Sequence, residues 1–144
     1  EEASFGGSHG IAIVREKTKT GPEKEDYILS DIREAFAWGR NHKGQCGVGK
    51  EDYYELPTKI EEFDGKNVLK VSAGCDHSLF LVEEAKGETF VYSCGNAAKG
   101  ASGVTKTLNG KFSTPQKVFN LDKKRTLGDK KPLAEVLEIF AGTN

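Results

Sequence analysis

One pattern recurs at a fixed distance, and it limits the fold more than any single residue does. Ser4-Phe5-Gly6-Gly7-Ser8-His9-Gly10-Ile11-Ala12-Ile13-Val14 matches Ser72-Ala73-Gly74-Cys75-Asp76-His77-Ser78-Leu79-Phe80-Leu81-Val82. Both read Ser-x-Gly-x-x-His-x-aliphatic-x-aliphatic-Val, 68 residues apart. The same step again reaches Phe140-Ala141-Gly142-Thr143-Asn144. A second block pairs Phe36-Ala37-Trp38-Gly39-Arg40-Asn41 with Tyr92-Ser93-Cys94-Gly95-Asn96-Ala97. It continues as Gly44-Gln45-Cys46-Gly47-Val48-Gly49 against Gly100-Ala101-Ser102-Gly103-Val104-Thr105. A third pairs Leu56-Pro57-Thr58-Lys59-Ile60 with Thr114-Pro115-Gln116-Lys117-Val118. Three blocks in one order, with spacers of different length, mark a repeat array whose surface loops vary.

Each repeat reads as short strands. Asn67 to Ser72, Ser78 to Val82 and Thr89 to Ser93 are apolar runs bounded by glycine or charge. Glu84-Ala85-Lys86-Gly87-Glu88 reads as a hairpin loop whose glycine supplies positive φ. Pro115 to Phe119 reads as an edge strand that begins at its proline. About four short strands per repeat is the content of one propeller blade. Tyr27 to Ala37 alone has helical character, and is expected to form a short turn of helix before the Trp38 strand. The glycines Gly6, Gly74 and Gly142 keep one register. So do Gly39 and Gly95, Gly44 and Gly100, and Gly47 and Gly103. Blades converge on a central axis, where backbones approach too closely for bulky side chains.

Composition excludes several function classes. No apolar run approaches the roughly 20 residues of a membrane helix. The net charge of −1 argues against a nucleic-acid binder with a global basic field. Three cysteines, an odd number in 144 residues, fit a reducing intracellular compartment better than a disulfide framework.

Trp38-Gly39-Arg40-Asn41-His42-Lys43-Gly44-Gln45-Cys46-Gly47-Val48-Gly49 resembles the regulator of chromosome condensation repeat almost residue by residue. The later Gly-x-x-His strand fits the same family. Cys46 stands where the family has leucine. The second copy departs further, with Cys94 in place of the tryptophan and Ala101-Ser102 in place of Gln-Leu. The resemblance implies an all-β fold, a seven-bladed propeller of which this chain holds about two four-stranded blades. The expected organisation is one partial propeller over 1–144. It comprises a repeat end at 1–14, an insertion at 15–32, a full repeat at 33–82, and a next repeat at 83–144 with an insertion at 121–134. Methionine is absent, and two blades alone would leave sheet edges open. Both observations predict a piece of a longer protein.

His9 and His77 invite a catalytic role because histidine titrates near neutrality. Their recurrence at one register favours a structural role, since one active site needs no base in every blade. Contact with a partner stays open for both. Cys46, Cys75 and Cys94 with His77 have the donor types for zinc but no Cys-x-x-Cys pair. Cys46 and Cys94 read as small buried apolar residues. Gly100 to Lys106 lacks the Gly-Lys-Ser/Thr ending of a phosphate loop. No catalytic residue, metal ligand or cofactor site is therefore assigned.

The unrepeated segments are the better places for binding. The insertion at 15–32 carries mixed charge around Thr20-Gly21-Pro22, and reads equally as a solvated loop or a contact arm. Residues 106–131 hold eight Lys/Arg and two Asp/Glu, whereas residues 51–90 hold four Lys and ten Asp/Glu. Lys123, Lys124, Arg125, Lys130 and Lys131 could dock an acidic protein surface; nucleic acid is the weaker reading, because no aromatics interleave for base stacking. The expected function is a non-enzymatic protein–protein interaction scaffold, an adaptor inside a larger protein or assembly. The family resemblance also implies two alternatives: nucleotide exchange on a small Ran-like GTPase, and substrate recognition within a ubiquitin ligase.

Overall fold

In the computed structural model, which describes residues 2–23, 26–104, 109–118 and 136–142, the repeated blocks form eight strands. The first sheet takes β1 (Glu2–Phe5), β2 (His9–Lys19), β3 (Tyr27–Arg40) and β4 (Tyr53–Lys59) in sequential order. The second takes β5 (Asn67–Ala73), β6 (His77–Glu83), β7 (Thr89–Asn96) and β8 (Lys111–Lys117), again in order. Every pairing is antiparallel. The two sheets share their register: His9 lies opposite Gly39 in the first, His77 opposite Gly95 in the second. These are two four-stranded blades of a β-propeller.

Period-two alternation decides which residues meet between the blades. Ile11, Ile13, Ala35 and Ala37 face the second sheet from β2 and β3. Val68, Val71, Ala73, Phe80, Val82, Tyr92 and Cys94 meet them, with Ile60, Phe63 and Cys46 closing the layer. The Phe63 ring packs at 5.0 Å from Phe80 and 5.3 Å, edge-on, from Tyr92. Small residues on one sheet thus face large ones on the other, which lets the blades close tightly.

The opposite face of the second sheet repeats the arrangement. Leu81, Val91 and Val118 pack with Leu69, Val104, Val136 and Ile139. Ser4 Oγ accepts from Ala73 N at 2.9 Å, and Ser72 Oγ accepts from Ala141 N at 2.8 Å. Residues 136–142 therefore lie against the second blade much as β5 lies against the first.

Two local expectations are corrected. Tyr27 to Ala37 is strand throughout, not helix. The segment pairs with β2 over residues 27–29 and again over 33–39, with a register shift between, and alternation turns both Ala35 and Ala37 into the inter-blade core. β8 begins at Lys111 rather than at Pro115. Pro115 falls where the β7–β8 register shifts, on an edge strand, so its missing N–H breaks no ladder bond. The turn between β6 and β7 does carry a positive-φ glycine, Gly87, at 72°.

Candidate functional site

The inner turn between β1 and β2 brings the histidine pattern together. Gly6 N donates to the His9 carbonyl at 2.9 Å, and Gly74 N donates to His77 in the same way at 2.9 Å. Each turn folds its imidazole back over its own glycine. A Cβ on Gly6 would lie 2.5 Å from the His9 ring and 2.1 Å from the Gly74 carbonyl oxygen of the next blade. A Cβ on Gly74 would meet His77 at 2.4 Å. Glycine is needed at both positions for close approach, not for a special φ.

Both imidazoles are buried, at 5% and 4% exposure. His9 joins the blades through a chain of hydrogen bonds. Ser78 Oγ donates to the Gln45 carbonyl at 2.6 Å, so the serine has no further proton to give. His9 Nε2–H therefore donates to Ser78 Oγ, at 2.8 Å. Nδ1 is then the bare nitrogen, buried and without a hydrogen-bond partner; His77 Nδ1 is likewise buried without a partner among the described residues.

That geometry makes the charged ring costly. Burial pulls the His9 pKa down from 6.5 to about 4, with Asp76 opposing and His77 adding to the shift. The unfolded chain then holds more protons than the folded one between about pH 4 and 6.5. His9 thus contributes stability fully above about pH 6.5, and that stability is lost as the pH falls towards 4, by roughly 3 kcal/mol in all. His9→Gln should flatten the fall in denaturation midpoint between about pH 6.5 and 4. Equal slopes for the two proteins would show that His9 is not the group responsible.

Ser78 and Gln45 were not singled out by the sequence pattern, although one signal existed. In the first blade Gly10 lies opposite Trp38; in the second, Ser78 lies opposite Cys94. A Cβ on Gly10 would come within 2.5 Å of the Trp38 ring. The pair exchanges bulk across the strands: a small Cys94 leaves room for the Ser78 hydroxyl that reaches His9.

The loop after β3 seats the first blade on the second. Asn41 Oδ1 accepts from Cys46 N at 2.8 Å, and Asn41 Nδ2 donates to the Lys50 carbonyl. Gly49 N donates to the Ser113 carbonyl on β8 at 2.9 Å. Lys111 forms an ion pair with Glu51, and Ser113 Oγ bonds Glu51 at 2.9 Å. These bonds hold the Glu51 carboxyl below the usual range, the Lys111 bond first.

The cysteines are thiols. Cys46 and Cys94 are fully buried, and burial pushes the Cys46 thiol up to about 12 and raises that of Cys94 as well. Cys75 is exposed. Among the described residues no group of three His, Cys, Asp or Glu is placed to hold a metal ion. Lys123, Lys124, Arg125, Lys130 and Lys131 lie outside the described residues. So does the whole of the 121–134 segment to which they belong.

The 15–32 segment is a paired hairpin rather than an open loop. Arg15 lies opposite Arg33, Lys17 opposite Leu29, and Lys19 opposite Tyr27. β2 and β3 thus run on past the blade as an arm. Tyr27, Ile28, Leu29 and Ile32 on it are 43%, 61%, 42% and 43% exposed.

A family model described as the regulator of chromosome condensation (RCC1) repeat matches residues 34–81. Residues 34–81 are an RCC1-type repeat. The matched range runs from β3 to β6, so one sequence repeat takes strands from two adjacent blades. The chain is 43% identical over 82 residues to an RCC1-like G exchanging factor-like protein of Mus musculus, covering 54% of this chain and 17% of that protein. It is 34% identical over 104 residues to the mouse E3 ubiquitin-protein ligase HERC2, covering 72% of this chain and 2% of that protein. The chain thus spans only a small part of the curated relatives it matches. Among solved structures, yeast RCC1 (Prp20) bound to Kap60 superposes on 99% of this chain and 28% of its own, with TM-score 0.60 at 22% identity. A second structure of Prp20p from Saccharomyces cerevisiae covers 83% of this chain and 26% of its own, with TM-score 0.54 at 23% identity. Both have the RCC1 propeller fold. No helix among the described residues is long and apolar enough to cross a membrane.

Proposed function

We propose that this chain is a protein–protein interaction module, a non-enzymatic part of a larger RCC1-type propeller that serves as scaffold or adaptor in an intracellular assembly. The observation that carries the reading is the contrast between frame and arm. Both repeat histidines are buried in turns of one geometry, and His9 is bound into the contact between blades. The β2–β3 arm, absent from the second blade, instead presents four large apolar side chains to solvent. A rigid repeated frame with one unrepeated, partly apolar projection is suited to holding a partner. Three free thiols fit a reducing compartment.

The test is affinity purification of the native protein in mild salt, beside a variant whose 16–31 segment is replaced by the short 84–88 turn of the second blade. Defined subunits should co-purify with the native protein and be lost from the variant. A native protein that purifies without a partner would overturn the reading.

Nucleotide exchange on a small Ran-like GTPase is a second reading, favoured by the exchanging-factor-like relatives. A third is the substrate-recognition propeller of a ubiquitin ligase, favoured by the HERC2 match. Faster release of labelled GDP from such a GTPase on adding the protein would replace the scaffold reading with the second. Ubiquitin transfer to a co-purifying protein would replace it with the third.

A further inference from the structure

We propose that the His9–Ser78–Gln45 chain is a proton-operated latch: protonating His9 releases the segment 45–47 at the turn end of the blade seam and uncovers Cys94. Three separate stretches of chain make the latch. His9 opens β2 of the first blade, Ser78 lies on β6 of the second, and Gln45 comes from the loop after β3. His9 Nε2–H donates to Ser78 Oγ at 2.8 Å, and Ser78 Oγ–H donates to the Gln45 carbonyl at 2.6 Å. Gln45 is completely buried, and its side-chain amide is held as well. Its Oε1 accepts from Lys43 N at 2.9 Å, and its Nε2 donates to Asp76 Oδ1 at 3.5 Å. What the segment covers is a thiol. Cys94 Sγ donates to the same Gln45 carbonyl at 3.4 Å, and a Cβ on Gly47 would lie 3.0 Å from that sulfur.

The neutral ring fits this chain of bonds and the charged ring does not. An imidazolium carries two N–H donors. The second would sit on Nδ1, which is buried without an acceptor among the described residues. Nδ1 packs against Gly6, where even a Cβ would come within 2.8 Å of it, so an acceptor has no room on that side. The charged ring finds a partner for Nδ1 only by turning, and turning takes Nε2–H away from Ser78. The surrounding groups do not offset this. Desolvation outweighs the attraction of Asp76 from the β5–β6 turn, and His77 beside it repels the charge. Behind Gln45, burial keeps the Cys46 and Cys94 thiols neutral. Of the neighbours on β1, β3 and β4, Phe5, Trp38, Gly39 and Tyr53, only Tyr53 has a titratable group. Arg40, His42 and Lys43 are exposed, where water and salt screen them.

The opening is confined to one end of the seam. Phe63 lies in the connection from β4 to β5, at the far end of β5 from the Gly74 turn. It packs there on Phe80 and Tyr92, with ring centres 5.0 and 5.3 Å away. That packing holds the blades together when the latch is released. The latch favours the closed seam while His9 is neutral. Closed, the ring titrates at about 4; released into water it returns to 6.5. The open form therefore binds the proton more tightly, and the opening equilibrium rises about twentyfold between pH 7 and 5.

The experiment labels the complete protein with dithiodipyridine at low concentration, a disulfide that reacts with thiols in acid, and maps the products to each cysteine by mass spectrometry. Labelling of Cys94 is read relative to the exposed Cys75, which cancels the pH dependence of the reagent. The relative rate at Cys94 should rise about twentyfold between pH 7 and 5, with the far-UV circular dichroism unchanged. His9→Gln keeps an N–H donor for Ser78 but does not titrate, so its relative rate should stay flat. Ser78→Ala severs the latch at any pH, so its Cys94 should label faster than wild type already at neutral pH. His77→Gln should keep the wild-type rise. Four results would overturn the proposal: a flat rate in the wild type, an equal rise in His9→Gln, a rise lost in His77→Gln instead, or labelling that appears only with loss of the far-UV signal. Should His9→Gln not fold, Ser78→Ala decides, and labelling no faster than wild type at neutral pH would sink the latch.

Discussion

Phe80→Ala is expected to lower the free energy of unfolding by about 3–5 kcal/mol. Phe80 is completely buried on β6, with the Phe63 ring 5.0 Å away. Its side chain lies in the buried cluster between the blades that also holds the small Ala35 and Ala37. Those alanines cannot extend into the void, and their strand is pinned on both sides by β2 and β4. The loss therefore combines lost burial with an unfilled cavity, against a total stability of only about 5–15 kcal/mol for a typical domain. Chemical denaturation of wild type and variant would measure it. A loss below about 1 kcal/mol would mean that the blades do not pack through Phe80.

Gly95→Ala should cost a comparable amount by a different mechanism, about 3 kcal/mol or more. Gly95 has φ of 96°, a conformation that L side chains rarely adopt. Its Cβ would also lie 2.4 Å from the Asp76 carbonyl oxygen, 2.7 Å from the His77 Cα and 3.1 Å from the Gln45 Cα. All three are backbone atoms, so no rotamer change relieves the contact. Gly65 supplies the control. It too has positive φ, at 72°, but a Cβ there meets nothing within 4 Å. Gly65→Ala should therefore cost only the conformational part, about 1 kcal/mol. Equal losses at Gly95 and Gly65 would show that φ alone, not the close backbone approach, requires the glycine.

The candidate surface was less legible than the frame. The 15–32 segment was visible as an interruption of the repeat, with no indication of which charges share a side. Setting Arg15 opposite Arg33 and Lys17 opposite Leu29 needed the strand register, which shifts between the two pairs, and the register needed β3 to be strand down to Tyr27. The local sequence of Tyr27 to Ala37 suggests helix because its apolar residues are spaced at roughly helical intervals. Pairing with β2 on both sides of a register shift outweighs that local preference, since strand preference follows the neighbours a residue packs against.

By itself the sequence determined what recurs: strands of alternating apolar residues, a glycine–histidine turn, and a Trp38-Gly39 block in one order. Those features are local. Alternation and turn chemistry are written in consecutive residues, and repetition at 68 residues makes them stand out. Only the tertiary structure decided what depends on residues distant in the chain. It joined His9 to Ser78 and Gln45, matched Gly10 with Trp38 where Ser78 meets Cys94, and set Arg15 directly opposite Arg33. The physical reason is that hydrogen-bond satisfaction and charge pairing are properties of neighbours in space. In a propeller those neighbours come from different blades.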